Sequence, residues 1–218
     1  MFEYIIITAP NQYIATVYQN ELDRLTYKLR ILQEAKDIIC VADPQGKRVG
    51  SGGGTLNALD CAISKWTRSN LAASKLLIIH SGGDSRRAPF HSVCGKAWAS
   101  LNASIGTTNT LATPIILLIQ ELSSLAFSIP KGSMTIASCD VLLDISPKSF
   151  TDKNLIYVPE DAVTIIGVPE SPFLAQNHVY EFKLNPCVFI IIIDWFIFIL
   201  NILLGGFIIF FGSFNKSK

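Results

Sequence analysis

The chain has 218 residues, which suits one domain with an appendage and is long enough to bury a core. Its net charge of +1 and the lack of a basic stripe exclude an extended nucleic-acid footprint, so we expect no nucleic-acid partner. The five cysteines contain no CxxC pair, and the first residues lack a positively charged targeting pattern. Both observations favour reduced thiols in a cytoplasmic protein.

Strand and helix patterns alternate through the first 186 residues. Short apolar runs predict strands at 2–8, 38–42, 76–79, 134–138 and 163–168. Apolar residues at helical spacing predict three helices: one long helix over 14–32, one from a glycine-rich loop through about Trp66, and one that starts at Thr113-Pro114. The run at 76–79 is apolar throughout, as in a strand buried on both faces of a parallel sheet.

A glycine-rich stretch follows the second strand run. We predict a loop that leads into a helix N-terminus, where backbone N–H groups and the helix dipole favour an anion such as phosphate. A flexible turn without a ligand is the alternative, because the stretch matches neither the dinucleotide pattern nor the P-loop. The candidate phosphate-binding residues are Gly50, Ser51, Gly52, Gly53, Gly54 and Thr55.

A second glycine turn follows the strand run at 76–79. Gly82 and Gly83 offer a backbone anion site, Arg87 follows them, and Lys96 comes about nine residues later. Such a set would hold a triphosphate and neutralise the charge on a leaving pyrophosphate, which makes Arg87 and Lys96 candidate catalytic residues. The alternative is a surface loop with two unrelated basic residues.

Polar residues near the later strand runs complete the candidate site. Asp140 follows the run at 134–138, and a carboxylate at a strand's carboxyl end is well placed to hold Mg²⁺ against phosphates. A simple cap is the alternative role. Gln176, Asn177 and His178 offer donors and acceptors for sugar hydroxyls, while a lone histidine is more often structural.

Two other patterns predict no chemistry. His91 and Cys94 have a metal-like spacing, but no second pair supplies the remaining zinc ligands. Ser81 and Ser85 lie near His80, but the sequence contains no G-x-S-x-G nucleophile elbow.

Four motifs resemble the pyrophosphorylase domain shared by fucose-1-phosphate guanylyltransferases and L-fucokinases. The resemblance covers roughly residues 2–182. The motifs, in this order, are Asp43-Pro44 with residues 48–59, residues 78–87 with Gly95-Lys96, residues 138–142, and residues 175–178.

The resemblance implies an α/β fold with a doubly wound, mostly parallel sheet of nucleotidyltransferase type. It also implies that fucose 1-phosphate attacks the α-phosphate of GTP, with Mg²⁺ as cofactor, to give GDP-fucose and pyrophosphate. Gly82, Gly83, Arg87 and Lys96 would then bind the triphosphate, and Asp140 would hold the metal. Because the family's chains are longer, we expect residues 1–186 to be an incomplete pyrophosphorylase-like domain.

Residues 187–218 differ in composition from the rest, since Ile and Phe dominate them. The run 188–211, about 24 residues, is long enough to span a bilayer as a helix, so an anchor to the membrane is one interpretation. Asp194 inside the span argues against an evolved anchor. The sequence therefore favours a truncated isoform or a read-through segment.

These patterns leave three hypotheses open. The first is a guanylyltransferase domain that binds GTP and fucose 1-phosphate. The second is a non-catalytic nucleotide-binding remnant of an L-fucokinase, whose full-length parent would phosphorylate L-fucose with ATP. The third is a tail-anchored membrane protein with a structural head.

Overall fold

Short apolar runs form the strands of this molecule, and the segments between them form helices. The computed structural model describes residues 1–81, 91–106, 109–139, 143, 164–166 and 209–213. The strands are β1 (Tyr4–Ala9), β2 (Asp37–Ala42), β3 (Leu76–His80), β4 (Ser133–Ser138), β5 (Thr164–Ile166) and β6 (Ile209–Ser213). The helices are α1 (Gln12–Thr26), α2 (Arg30–Gln33), α3 (Gly50–Trp66), α4 (Arg68–Ala72), α5 (His91–Cys94) and α6 (Pro114–Leu125).

Four parallel strands form the centre of the sheet. The strand order is β2-β1-β3-β4-β6-β5, and β6 pairs antiparallel with both β4 and β5. Ile6 pairs with Ile39 on one side and Ile78 on the other. All six residues of β1 are buried, as expected for a strand with helices on both faces. The five predicted strands and the α/β class with a mostly parallel sheet are confirmed.

Helices cover both faces of the parallel strands. Successive side chains of a strand point to opposite faces, so Ile5 and Ile6 belong to different layers of the core. Ile5 packs in the layer that α1 and α6 cover, whereas Ile6 packs in the layer that α3 and α4 cover. A ligand at the edge of the sheet can therefore contact elements from both layers.

The prediction of one long helix over 14–32 is wrong. The helix α1 ends at Thr26, and Leu29 is extended, with φ −115° and ψ 109°, before the short α2 begins. A 15-residue helix spans roughly 22 Å and a six-residue strand roughly 20 Å, so α1 already crosses the sheet. Leu29 and Leu32 are still buried. The helical spacing therefore correctly identified residues that pack in one core, but these residues do not belong to one continuous helix.

The prediction of a glycine-rich loop is also wrong, because these glycines form the start of a helix. The helix α3 begins at Gly50, which has a φ of +71°, six residues before Leu56. Each glycine costs about 1 kcal/mol in a helix relative to alanine. Buried contacts of Ala58, Ala62 and Trp66 against the sheet offset this cost.

The apolar C-terminal segment is described only in part. Residues 209–213 form β6, which pairs with β4, so residues 209–211 of the predicted apolar span are extended and not helical. Residues 188–208 lie outside the described part of the chain, and their helix stays a prediction. None of the helices that the structure describes is long and apolar enough to cross a bilayer.

Gly132, in the turn before β4, is expected to be essential for stability. Its φ is +79°, and a Cβ atom there would lie 2.9 Å from the Ala72 carbonyl oxygen. Gly132→Ala should lower the free energy of unfolding by about 1 kcal/mol through backbone strain and by about 1–3 kcal/mol more through this clash. Urea unfolding measures the loss.

Gly106→Ala is the matched control for this substitution. Gly106 also has a positive φ, +53°, but no atom of the described residues lies within 4 Å of the position of its Cβ. Gly106→Ala should therefore lower the free energy of unfolding only by the amount due to backbone strain. Equal losses for the two variants would contradict the assigned clash.

Candidate functional site

A cleft of about 1350 Å³ runs along the carboxyl edge of the parallel strands. Parallel strands end at the same edge, so Thr8 of β1, Asp43 after β2, His80 of β3 and Ser138 of β4 all line this cleft. The strand order reverses between β1 and β3, because the chain leaves β1 towards β2 and leaves β3 towards β4. Open α/β sheets bind their ligands at this position.

The N-terminus of α3 opens into the cleft. Gly50, Ser51 and Gly54 line it. The first four N–H groups of an α-helix have no partner within the helix, and Val49, at the N-cap position, makes no side-chain cap hydrogen bond. The end of the helix thus presents backbone donors and the positive end of its dipole, a combination that binds anions such as phosphate.

Glycine is required for steric reasons at position 53, near the start of α3. A Cβ atom on Gly53 would lie 2.7 Å from Cβ of Val49, closer than real contacts allow. A Cβ atom on Gly54 would lie 3.4 Å from Cε1 of His80. Gly53 therefore allows the chain to pass from Val49 into the first turn of α3, whereas the distance at Gly54 is that of an ordinary van der Waals contact with His80.

His80 joins three elements through a chain of hydrogen bonds. The Thr55 hydroxyl donates to the Ser51 carbonyl oxygen (2.9 Å), so the same hydroxyl must accept from Nε2–H of His80 (2.9 Å). Nδ1 of His80 is then the acceptor for the Thr8 hydroxyl (3.3 Å), and the Ser81 N–H donates to the Thr8 oxygen (3.4 Å). This direction fixes His80 as the neutral tautomer with its proton on Nε2.

Burial keeps His80 uncharged. Desolvation lowers its pKa from the ordinary value of 6.5 to about 4. Both ring nitrogens already have partners in the neutral form. His80 therefore acts as a fixed connector between β1, β3 and α3 at neutral pH.

The opposite side of the cleft is aromatic. Tyr18 of α1 packs against Trp98, with ring centroids 5.4 Å apart and planes inclined by 39°. Gly95, at φ +75°, allows this packing, because a Cβ atom there would lie 2.6 Å from the Tyr18 hydroxyl oxygen. Burial raises the pKa of Tyr18 to about 12, although a hydrogen bond with Ser81 opposes the rise. Tyr18 thus stays a neutral hydroxyl.

Charged side chains also line the cleft. Arg24 pairs with Glu21 on the exposed face of α1, and Lys28 lies one turn further along the chain. Arg48 lines the cleft beside α3. Burial raises the pKa of Asp43, while a hydrogen bond from the Val49 N–H and the charge of Arg48 oppose this rise. Arg48 is therefore a cation beside the helix end that favours an anion, whereas Arg24 and Lys28 line the cleft from α1 and the residues just after it.

Of the six predicted phosphate-binding residues of the first glycine-rich stretch, Gly50, Ser51 and Gly54 line the cleft, whereas Gly52, Gly53 and Thr55 are not among its lining residues. Thr55 lies beneath it as the partner of His80. Lys96 begins a short 3-10 turn, Lys96–Trp98, between Gly95 and Trp98, which both line the cleft. Seven predicted site residues lie outside the described residues: Gly82, Gly83, Arg87, Asp140, Gln176, Asn177 and His178.

The sequence analysis assigned no role to His80, Tyr18 or Asp43. One available signal was that Asp43 and His80 are polar residues at the carboxyl ends of predicted strands. Tyr18 gave no such signal, because at helical spacing it resembles an ordinary core residue.

The neutral state of His80 should make stability depend on pH. The unfolded chain binds a proton at His80 below about pH 6.5, whereas the folded chain resists it down to about pH 4, so stability is full above pH 6.5 and falls as the pH drops through this window. The expected contribution of His80 to the loss between pH 7 and pH 4.5 is about 2 kcal/mol. Urea unfolding at the two pH values measures it.

His80→Asn should remove this contribution and flatten the pH dependence. An unchanged slope in His80→Asn would show that another group causes the pH dependence.

Comparison with known proteins places this chain in a family. The sequence model described as the fucose pyrophosphorylase domain matches residues 68–185. The chain is 29% identical over 201 residues to the bifunctional fucokinase/GDP-fucose pyrophosphorylase of Arabidopsis thaliana, a match that covers 81% of this chain and 18% of that protein. No solved structure matches the chain.

Two further relatives have related names. The fucose-1-phosphate guanylyltransferase of Mus musculus is 26% identical over 181 residues, covering 81% of this chain and 28% of that protein. The L-fucokinase/L-fucose-1-P guanylyltransferase of Bacteroides fragilis is 30% identical over 154 residues, covering 65% of this chain and 15% of that protein. The chain thus spans less than a third of the length of these relatives. Because the family match covers more than half of its residues, this chain belongs to the fucose pyrophosphorylase domain family.

Proposed function

We propose that this chain is the nucleotide-binding part of a guanylyltransferase of fucose salvage. A phosphate oxygen of fucose 1-phosphate attacks the α-phosphorus of GTP, the bond from that phosphorus to the bridging oxygen breaks, and pyrophosphate leaves with the electron pair. The product is GDP-fucose. Family membership and the names of the relatives support a nucleotidyltransferase-like role in fucose salvage.

One observation of the chain itself carries the proposal: the glycine-rich N-terminus of α3 opens into the cleft beside Arg48. Charge builds up on phosphate oxygens when pyrophosphate leaves, and fixed N–H dipoles and cations stabilise it without rearrangement. His80 and Thr55 hold this helix end in place. A polyphosphate is thus the ligand that the described residues fit best.

The remaining predicted residues extend this proposal. We propose that Gly82 and Gly83 also bind the triphosphate. Arg87 and Lys96 would be the cations that neutralise the charge of the leaving pyrophosphate. Lys96 follows Gly95 at the cleft, which is consistent with that role. Gln176, Asn177 and His178 would contact the sugar.

Mg²⁺ is the proposed cofactor. Proteins usually hold it with one or two carboxylates together with substrate phosphates, and it neutralises phosphate charge when it is bound. The described residues fit such an ion, because Asp43 places a partly buried carboxylate in the cleft close to α3. Asp140 is the other proposed ligand.

The names of two relatives favour a second candidate. Both the Arabidopsis thaliana and the Bacteroides fragilis proteins combine a fucokinase with a fucose pyrophosphorylase or guanylyltransferase function. The chain would then be a piece of a fucokinase parent that uses ATP and L-fucose, and by itself it would only bind nucleotide.

Calorimetric titration of the full chain with GTP, ATP and UTP, each with Mg²⁺, tests the proposal. We expect binding with a preference for GTP. Arg48→Ala should weaken GTP binding about tenfold, because it removes a charge-assisted contact to phosphate. Raising the salt concentration should also weaken binding.

Arg68→Ala is the matched control, because Arg68 is an exposed residue of α4 that does not line the cleft. It should bind GTP as the unmodified chain does. If the folded chain binds no nucleotide, the proposal is wrong. If it binds GTP but Arg48→Ala and Arg68→Ala have equal effects, the phosphate site lies elsewhere.

A further inference from the structure

Two side chains of the cleft bury polar atoms that have no hydrogen-bond partner among the described residues. They are Nε1 of Trp98 and Oγ1 of Thr113. Each residue is only 9% exposed, and both line the cleft. A buried polar group without a partner is costly, so native proteins rarely keep one without a reason.

Both side chains are held in place, so loose packing does not explain why the two atoms lack partners. Trp98 is fixed against Tyr18 by the ring contact that Gly95 allows. Thr113 occupies the N-cap position of α6, yet its hydroxyl makes no cap hydrogen bond, and its carbonyl oxygen instead accepts from the N–H groups of Ile116 and Leu117. At α1, by contrast, the Asn11 side chain does cap the helix by accepting from Ile14. The Thr113 hydroxyl thus does not make the helix-capping hydrogen bond that a threonine at this position commonly makes.

We infer that Trp98 and Thr113 form a subsite for an uncharged oxygen acceptor of the substrate. This inference rests on the proposed function and adds the part of the substrate that the aromatic side of the cleft recognises. An indole N–H can only donate, so the matching ligand atom must be an acceptor, and a threonine hydroxyl can donate to a second one. A carbonyl oxygen of the base and a hydroxyl oxygen of the sugar both have this chemistry.

The position of the subsite separates it from the phosphate end. Trp98, α1 and two residues close to Thr113 on either side in the chain, Ala112 and Ile115, belong to one core layer, whereas α3 packs on the opposite face of the sheet. A nucleotide whose phosphates lie at α3 would therefore extend its neutral part towards Trp98. If the acceptor is the 6-oxo group of guanine, the Trp98 donor also disfavours adenine, which carries an amino group at that position.

Trp98→Phe and Thr113→Val test the inference in the full chain, with GTP-Mg²⁺, ATP-Mg²⁺ and fucose 1-phosphate as probes in calorimetry. Each substitution removes one hydrogen-bonding group and should weaken binding about fivefold to tenfold. Weaker GTP binding with a reduced preference over ATP identifies the base as the source of the acceptor. Weaker fucose 1-phosphate binding with GTP unchanged identifies the sugar.

The chain supplies a matched control for each variant. Trp66→Phe alters a tryptophan whose Nε1 already donates to Asp37 (2.8 Å) in the other core layer. Thr135→Val removes a buried hydroxyl that also lacks a partner among the described residues but does not line the cleft. Both controls should bind as the unmodified chain does. Thr113→Val should also keep its stability, because it removes a buried polar group without changing the shape of the side chain.

Two outcomes separate this inference from the proposed function. If the unmodified chain binds GTP or fucose 1-phosphate and both cleft variants bind equally well, the subsite is wrong while the proposed function stands. If the folded chain binds neither compound, the proposed function fails and the subsite fails with it.

Discussion

The hydrogen-bond chain through His80 is the constraint on which the candidate site depends. It has a single direction, from the Ser81 N–H through Thr8, His80 and Thr55 to the Ser51 carbonyl oxygen. That direction holds only while the imidazole is neutral, and burial keeps it so. The helix end that favours an anion is thus fixed to two strands by a group that carries no charge.

Fixing this helix end is necessary because its sequence is a poor helix former. Glycines in a helix cost about 1 kcal/mol each relative to alanine, so an isolated segment of this composition would fray. Hydrogen bonds with neighbouring elements supply the stability that the low helix propensity of this segment does not. Besides the Thr55 contact, the Asn57 amide donates to the Ala42 carbonyl oxygen (2.9 Å), and Asp43 accepts from the Val49 N–H. The backbone donors of α3 are therefore positioned before a ligand arrives, which favours binding.

The same facts explain what the sequence could and could not predict. The strands were predictable because runs such as 76–79 are apolar throughout and short, and a short apolar run bounded by polar residues is typical of a strand buried on both faces. The start of α3 could not be predicted, because a run of glycines indicates a loop unless the tertiary contacts are known. The role of His80 was out of reach for a further reason: Thr8 lies 72 residues away in sequence, and only the register of β1 against β3 brings the two together.

The two core layers also explain why one cleft has two chemically different sides. The side for which we propose a phosphate belongs to α3 on one face of the sheet, and the aromatic side belongs to α1 and the segments around Trp98 and Thr113 on the other. Ser123 and Ser133 also bury hydroxyls without partners among the described residues, but they lie away from the cleft and gain nothing from a ligand there. At Trp98 and Thr113 the free-energy cost of a buried polar group without a hydrogen bond is removed when a substrate oxygen binds. A fold that gives up some stability at its binding site in this way gains selectivity for the molecule that restores the missing hydrogen bonds.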